Sequence, residues 1–226
     1  MKVAAIVPSA GRGRRLKSRI EKPFVKLGDK SILAHTLIRL SKSKYINEIV
    51  VSVARDKIDK AKREIVDKYC LRKVKLVAGG KERKDSVFNA LKNISSGIDY
   101  VLIHDGIRPF ITNKFITSLL KAAFRFRASI LAVPVKPTLK FSQKGQFIKY
   151  TPDREYYWEA QTPQVFRRDL IEKAYRQAGK KKVKATDDSM LVEMMGVKPK
   201  IVMGSYSNIK ITTEEDLALA KILIMK

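Results

Sequence analysis

Val3-Ala4-Ala5-Ile6-Val7-Pro8 runs directly into Ser9-Ala10-Gly11-Arg12-Gly13-Arg14-Arg15, and Lys22-Pro23 follows shortly after. The apolar run is continuous rather than alternating, which is the pattern of a strand buried on both faces. Gly11 and Gly13 let the backbone turn sharply and let its amides approach a ligand closely. Three arginines and a later lysine add fixed positive charge. A buried strand opening into such a loop suits a polyphosphate, and points to an α/β protein that handles a nucleotide. The loop matches neither common phosphate motif. A Walker A loop would end in Gly-Lys-Ser/Thr, and a dinucleotide fingerprint would need glycine where Leu16 stands. Taken alone, the loop also reads as a basic surface turn joining a strand to a helix.

Working outward, apolar strands alternate with helical patterns. Residues 48–53, 74–77, 100–104 and 129–134 read as further strands. Between them, 56–69 carries Ile58, Ala61, Ile65 and Tyr69 at helical spacing, and 85–94 carries Val87, Ala90, Leu91 and Ile94. Thr112 can cap a helix reaching Phe126. This rhythm predicts a three-layer α/β sandwich around a mostly parallel, Rossmann-like sheet. It breaks at 135–158, where alternation around Gln143-Lys144-Gly145 predicts a protruding β-hairpin arm that needs a body or a partner subunit to pack on. The pattern then resumes with helices at 169–177 and 187–195, a strand at 200–203, and a last helix opened by the capping box Thr212-Thr213-Glu214-Glu215. In an open parallel sheet, ligands bind beyond the carboxyl ends of the strands. The segments 9–15, 79–86 and 105–108 should therefore meet at one rim.

Composition narrows the class. A chain of 226 residues, 45% hydrophobic, is expected to form one domain with a real core. No apolar run approaches the ~18 residues that span a bilayer. The chain enters its first strand without a signal-peptide pattern, so a cytoplasmic protein without membrane attachment is expected. The single Cys70 excludes an intrachain disulfide and a cysteine-based zinc cluster, and it reads as a small apolar filler near a helix end. His35 and His104 are too few for a histidine-rich metal site. Lys and Arg total 48 against 22 acidic residues, a net charge of +26. Such a field attracts anions and could hold nucleic acid non-specifically. The lysines are spread over the whole chain, however, as on solvated helix faces.

The rim segments, in this order, resemble the 4-diphosphocytidyl-2-C-methyl-D-erythritol synthases, the 2-C-methyl-D-erythritol 4-phosphate cytidylyltransferases of the non-mevalonate isoprenoid pathway. The matching pieces are residues 8–15, Lys22, residues 79–87, His104-Asp105-Gly106-Ile107-Arg108-Pro109, residues 134–138 and Asp153-Arg154. They continue with Trp158, Gln161-Thr162-Pro163-Gln164, Thr186-Asp187-Asp188 and residues 208–212. The resemblance covers nearly the whole chain. It departs at Lys22-Pro23-Phe24, where the family more often has Pro-Lys-Gln, and at Asp105-Gly106-Ile107-Arg108, where Asp-Ala-Ala-Arg is usual.

The resemblance implies a single nucleotidyltransferase domain over 1–226, with 136–157 as its arm subdomain. It also implies transfer of CMP from CTP to 2-C-methyl-D-erythritol 4-phosphate, with release of pyrophosphate and Mg²⁺ as the cofactor. Arg15, Lys22, Arg154 and Lys210 would be catalytic. Ala10, Gly11, Gly13, Gly79, Gly80, Arg83 and Ser86 would bind CTP. Asp105, Arg108, Thr138, Arg154, Thr162 and Lys210 would hold the acceptor, a polyol phosphate. Asp105 would hold the metal, or else be a carboxylate paired with Arg108. The arm would cross to a second subunit of a homodimer and complete its site. A phosphate monoester is mostly dianionic at neutral pH, so the nucleophile needs no general base. That agrees with the lack of a Ser/His/Asp or Cys/His constellation. Two other readings stand beside this one: a ribitol 5-phosphate cytidylyltransferase, and a non-enzymatic polyanion- or RNA-binding α/β protein.

Overall fold

The computed structural model describes residues 1–11, 21–181, 183 and 185–225. The opening run is β1 (Val3–Pro8). Val3, Ala5 and Val7 enter one apolar cluster, Ala4 and Ile6 the other. Both faces of the strand are thus buried, which is why its sequence does not alternate. After it come β2 (Lys26–Leu27), β3 (Lys30–Ser31), α1 (Ile32–Ser41), β4 (Ile46–Val53), α2 (Ile58–Ala61), β5 (Val74–Ala78) and α3 (Arg83–Leu91). The chain continues through β6 (Tyr100–Ile103), α4 (Asn113–Phe126), β7 (Ala128–Pro134), β8 (Trp158–Arg167), α5 (Arg168–Lys181), α6 (Asp188–Glu193), β9 (Lys200–Met203) and α7 (Glu214–Ile224).

Seven strands form one sheet in the order β5-β4-β1-β6-β8-β7-β9, and β2 and β3 form a small antiparallel pair. Every pairing in the large sheet is parallel except those of β8, which runs antiparallel to β6 and β7. Helices α1 and α4 pack on one face through Leu37, Leu40, Leu119 and Leu120. The other face is covered by α3, α5 and α6 through Val87, Leu91, Ile171 and Val192. This is the three-layer, mostly parallel α/β architecture that the rhythm predicts.

Local signals set the helix starts. Ser31 accepts from the Ala34 amide at 3.2 Å to cap α1, and Thr112 accepts from Phe115 at 3.4 Å to cap α4. The box opening α7 is one residue later than expected: Thr213 and Asp216 form it, and the Thr212 hydroxyl also donates to Asp216.

Four expectations change. Residues 56–69 are not one regular helix but a 3-10 turn (Arg55–Lys57), α2 and a wider π turn (Lys62–Asp67). Cys70 is exposed at a φ of +50°, so it ends the helical stretch without filling the core. The arm is a hairpin only at the single bridge between Phe141 and Tyr150. Pro137 and Pro152 supply no amide for a longer ladder, and an isolated two-stranded ribbon is marginal in water. Finally, β8 is a ten-residue strand where no strand was expected. Pro163 argues against a regular central strand, and β8 accommodates it through an irregularity. Ile130 faces Gln164 while Leu131 faces Gln161, which leaves Thr162 and Pro163, joined by a cis peptide, outside the ladder with β7.

Candidate active site

The carboxyl ends of β1, β5 and β6 bring residues 8–11, 80–83 and 105–107 to one rim. There they enclose a cleft of about 290 Å³ together with Lys22, Lys210 and Thr212. Close backbone approach holds the rim together. A Cβ on Gly79 would stand 2.3 Å from the Ala10 Cβ, so the β1 and β5 loops meet only because residue 79 is glycine. A Cβ on Gly80 would meet Asp85 at the same distance. The Ser86 hydroxyl fixes the turn into α3 by accepting from the Gly80 amide at 3.0 Å and donating to the Glu82 carbonyl at 3.1 Å.

Asp105, 6% exposed, is the electrostatic centre. Its Oδ1 accepts from Arg83 Nε at 3.0 Å and its Oδ2 from Lys210 Nζ at 2.8 Å, while Arg108 Nε stands 3.8 Å away. Burial alone would raise its pKa. Arg83, Lys210 and Arg108 outweigh burial and hold the carboxyl well below its usual range, so it is ionised. Arg108 donates to the Asn208 carbonyl at 2.6 Å. Lys22 is also buried, and its Nζ donates to the Thr212 carbonyl at 2.5 Å.

Behind Asp105 runs a chain of polar contacts that spacing did not reveal. The Asp105 amide donates to Thr162 Oγ1 at 3.0 Å, and that hydroxyl lies 3.1 Å from His104 Nδ1. His104 Nε2 lies 3.0 Å from the Arg108 carbonyl, which only accepts. The consistent assignment is a neutral imidazole that carries its proton on Nε2 and accepts from Thr162 on Nδ1. Full burial agrees, lowering the His104 pKa to about 4. The imidazole thus braces the turn carrying Asp105 and Arg108. The displaced Thr162 of β8 supplies the link, and Asn208 secures it by donating to the Thr162 carbonyl at 2.9 Å.

Arg83 reaches a second carboxylate. Its Nη2 donates to Asp188 Oδ2 at 2.7 Å, and Asp188 Oδ1 accepts from the Tyr175 hydroxyl at 2.5 Å. Burial opposes charge on Arg83, but Asp188 and Asp105 raise its pKa well above the usual value. Burial, then the charge of Asp188, pushes the Tyr175 phenol well up, so it stays a donor. Asp187 caps α6 and accepts from Gln164 at 2.7 Å, tying this corner to β8.

Of the residues singled out from sequence, Ala10, Gly11, Lys22, Gly80, Arg83, Ser86, Asp105 and Lys210 line the cleft. Gly79, Arg108 and Thr162 abut it through the contacts above. The Gly79 amide is already engaged by the Val53 carbonyl at 2.8 Å, so its part is close packing. Thr138 and Arg154 are not brought there. Both are exposed on the arm, where Arg154 Nη1 donates to the Lys136 carbonyl at 2.6 Å. Gly13 and Arg15 lie outside the described residues. A metal on Asp105 does not fit, because Arg83 and Lys210 occupy its two oxygens. Among the described residues no group of three or more His, Cys, Asp or Glu is placed to hold an ion. The paired-carboxylate alternative is the one the geometry supports, with Arg83 and Lys210 as closer partners than Arg108. The sequence reading gave no role to His104, Tyr175, Asp188 or Asn208. The runs containing His104, Asp188 and Asn208 were visible, but nothing in spacing aims Asp188 at Arg83.

A protein from Clostridioides difficile named 2-C-methyl-D-erythritol 4-phosphate cytidylyltransferase is 45% identical over 96% of this chain and 92% of its own. One of the same name from Caldanaerobacter subterraneus is 39% identical over the whole of both. The crystal structure of the 4-diphosphocytidyl-2C-methyl-D-erythritol synthase from Anaerococcus prevotii superimposes with a TM-score of 0.89 at 34% identity, covering 100% of this chain and 96% of that one. The family model described as 2-C-methyl-D-erythritol 4-phosphate cytidylyltransferase matches residues 3–226, and the chain belongs to that family.

Proposed function

We propose that this protein transfers CMP from CTP to 2-C-methyl-D-erythritol 4-phosphate, giving 4-diphosphocytidyl-2-C-methyl-D-erythritol and pyrophosphate. The observation that carries this reading is a cleft lined by the cations Lys22, Lys81, Arg83 and Lys210, in which neither His104 nor Asp105 is poised as a general base. His104 is buried, neutral and bonded at both nitrogens, and Asp105 is ionised and paired. Acid–base chemistry has no agent among these groups, whereas phosphoryl transfer to a phosphate dianion needs none.

In this reading an acceptor phosphate oxygen attacks the α-phosphorus of CTP. A P–O bond forms there as the bond to the bridging oxygen of pyrophosphate breaks. Lys22, at the cleft wall, and Arg15 neutralise the charge that moves onto the α-phosphate and the leaving group. Backbone at Ala10, Gly11 and Gly80 surrounds the nucleoside. Lys210 and Arg108 hold the acceptor phosphate, and Asp105 keeps both in position. Mg²⁺ finds no protein-built site among the described residues. As a hard cation it suits the oxygens of the triphosphate itself.

We also propose that residues 1–226 act as one nucleotidyltransferase unit of a homodimer whose arm, 136–157, completes the partner's site. Thr138 and Arg154 lie on that arm, and Phe147, Ile148 and Tyr156 leave it with exposed apolar surface that a second subunit would cover. No described helix is long and apolar enough to cross a membrane. A cytoplasmic enzyme is the reading consistent with a nucleotide substrate.

The deciding experiment measures pyrophosphate release with each of the four nucleoside triphosphates, with and without the methylerythritol phosphate. Release that requires both CTP and this acceptor is expected. Preference for another nucleotide, or faster turnover with ribitol 5-phosphate, would overturn the assignment.

A further inference from the structure

Arg83 is the first residue of α3 and is about one-third exposed at the cleft wall, so by itself it has many rotamers open to it. Its Nε and Nη2 form the edge that a guanidinium normally offers to one carboxylate in a paired, bidentate contact. Here that edge is split between two carboxylates, Nε on Asp105 and Nη2 on Asp188. The split depends on what occupies the other oxygen of Asp188. Asp188 is 0% exposed, and its Oδ1 accepts from the Tyr175 hydroxyl, itself held by a ring stacked on Phe88 at 5.9 Å between centroids.

We propose that Tyr175 is a positioning residue for nucleotide binding, acting through Asp188 on Arg83. By filling Oδ1, its hydroxyl keeps Asp188 to a single contact with Arg83 and leaves Nε on Asp105. Without it, a fully buried carboxylate oxygen has no donor among the described residues. Asp188 then turns both oxygens onto Arg83 and draws the guanidinium away from Asp105. Asp105 in turn is held by fewer cations, and Lys210, its partner at 2.8 Å, shifts with it. The tyrosine thus sets where two cations of the cleft stand while touching neither the nucleotide nor the acceptor. This inference rests on the cytidylyl-transfer reading for its kinetic consequence, but its structural content is independent of it.

A double-mutant cycle tests it. Tyr175→Phe, which removes the hydroxyl and keeps the ring stack, is expected to lower kcat/KM for CTP about tenfold. In an Arg83→Lys background the same change should cost less than about twofold, because the group it acts through is gone. Equal fold-losses from Tyr175→Phe in both backgrounds would overturn the proposal, as would no loss in the single variant. The Arg83 Nε–H resonance of the unliganded protein supplies a readout that needs no substrate. A shift in Tyr175→Phe is expected, and an unmoved signal overturns the coupling. Lack of CTP turnover by the unaltered protein would instead count against the proposed reaction.

Discussion

Ser9 and Gly106 show how tightly single atoms set this rim. The Ser9 hydroxyl is buried, has no hydrogen-bond partner among the described residues, and lies where a Cβ on Gly106 would come within 2.1 Å. The two residues therefore share one small volume between the end of β1 and the Asp105 turn. Gly106→Ala is expected to destabilise the protein by ~1–3 kcal/mol, as overpacking does. Ser9→Ala, which removes an unsatisfied buried polar atom, should be near neutral. Combining them should recover part of the Gly106→Ala loss, but not all of it, because Leu33 would still stand 3.0 Å from the new methyl. Urea unfolding of the three variants checks this, and simple additivity would show that the two positions do not compete. Which residues come together here was legible from the strand ends. The hydrogen bonds among them were not, since Asp188 lies 105 positions from Arg83 and nothing local records the contact.

Element by element, legibility follows how much local signal each segment carries. Strand β1 is unmistakable because both its faces are buried, and α4 is announced by Thr112 and by Leu119 and Leu120 on its inner side. By contrast, β8 carries Pro163, and only its tertiary setting between β6 and β7 makes it a strand. The arm lies between these cases: its turn was legible, with Gly145 at a φ of +76°, but its ladder is one bridge long. Its role is tested by subunit mixing. Lys22→Ala and Arg154→Ala should each lose about 10²–10³ in rate. If each arm completes the neighbouring site, the mixed dimer regains one intact site of two. An equimolar mixture should then recover about a quarter of the unaltered activity after subunit exchange. No recovery after verified exchange would rule out crossing.

At the scale of the molecule, the three-layer architecture followed from alternation of strand and helix alone, while the net charge of +26 has no structural account in the cleft. Among the described residues the cations lining it are Lys22, Lys81, Arg83 and Lys210, and Asp105 and Asp188 offset some of them. The acid limit of stability follows from the buried imidazole. His104 is lowered to about 4 in the fold, against about 6.5 when unfolded. The unfolded chain therefore binds the proton first. This contribution, ~3 kcal/mol, is complete above pH about 6.5 and is lost as pH falls toward about 4. His35, lowered mainly by burial, adds in the same direction. Asp105, held below its usual value, adds a further loss only below about pH 4. Urea midpoints followed from pH about 7.5 to about 4.5 should fall accordingly, and His104→Gln should flatten that slope to the part left by His35. An unchanged slope would contradict the buried neutral imidazole. Thr162 reaches the rim from the body of a strand, whereas Ala10, Gly80 and Arg83 reach it from segments following strand ends or opening a helix. Insertions and deletions can remodel the latter over evolutionary time. In β8 a single added residue would exchange Val165 and Phe166 between opposite layers, which leaves descendants of this chain to vary that side by substitution alone.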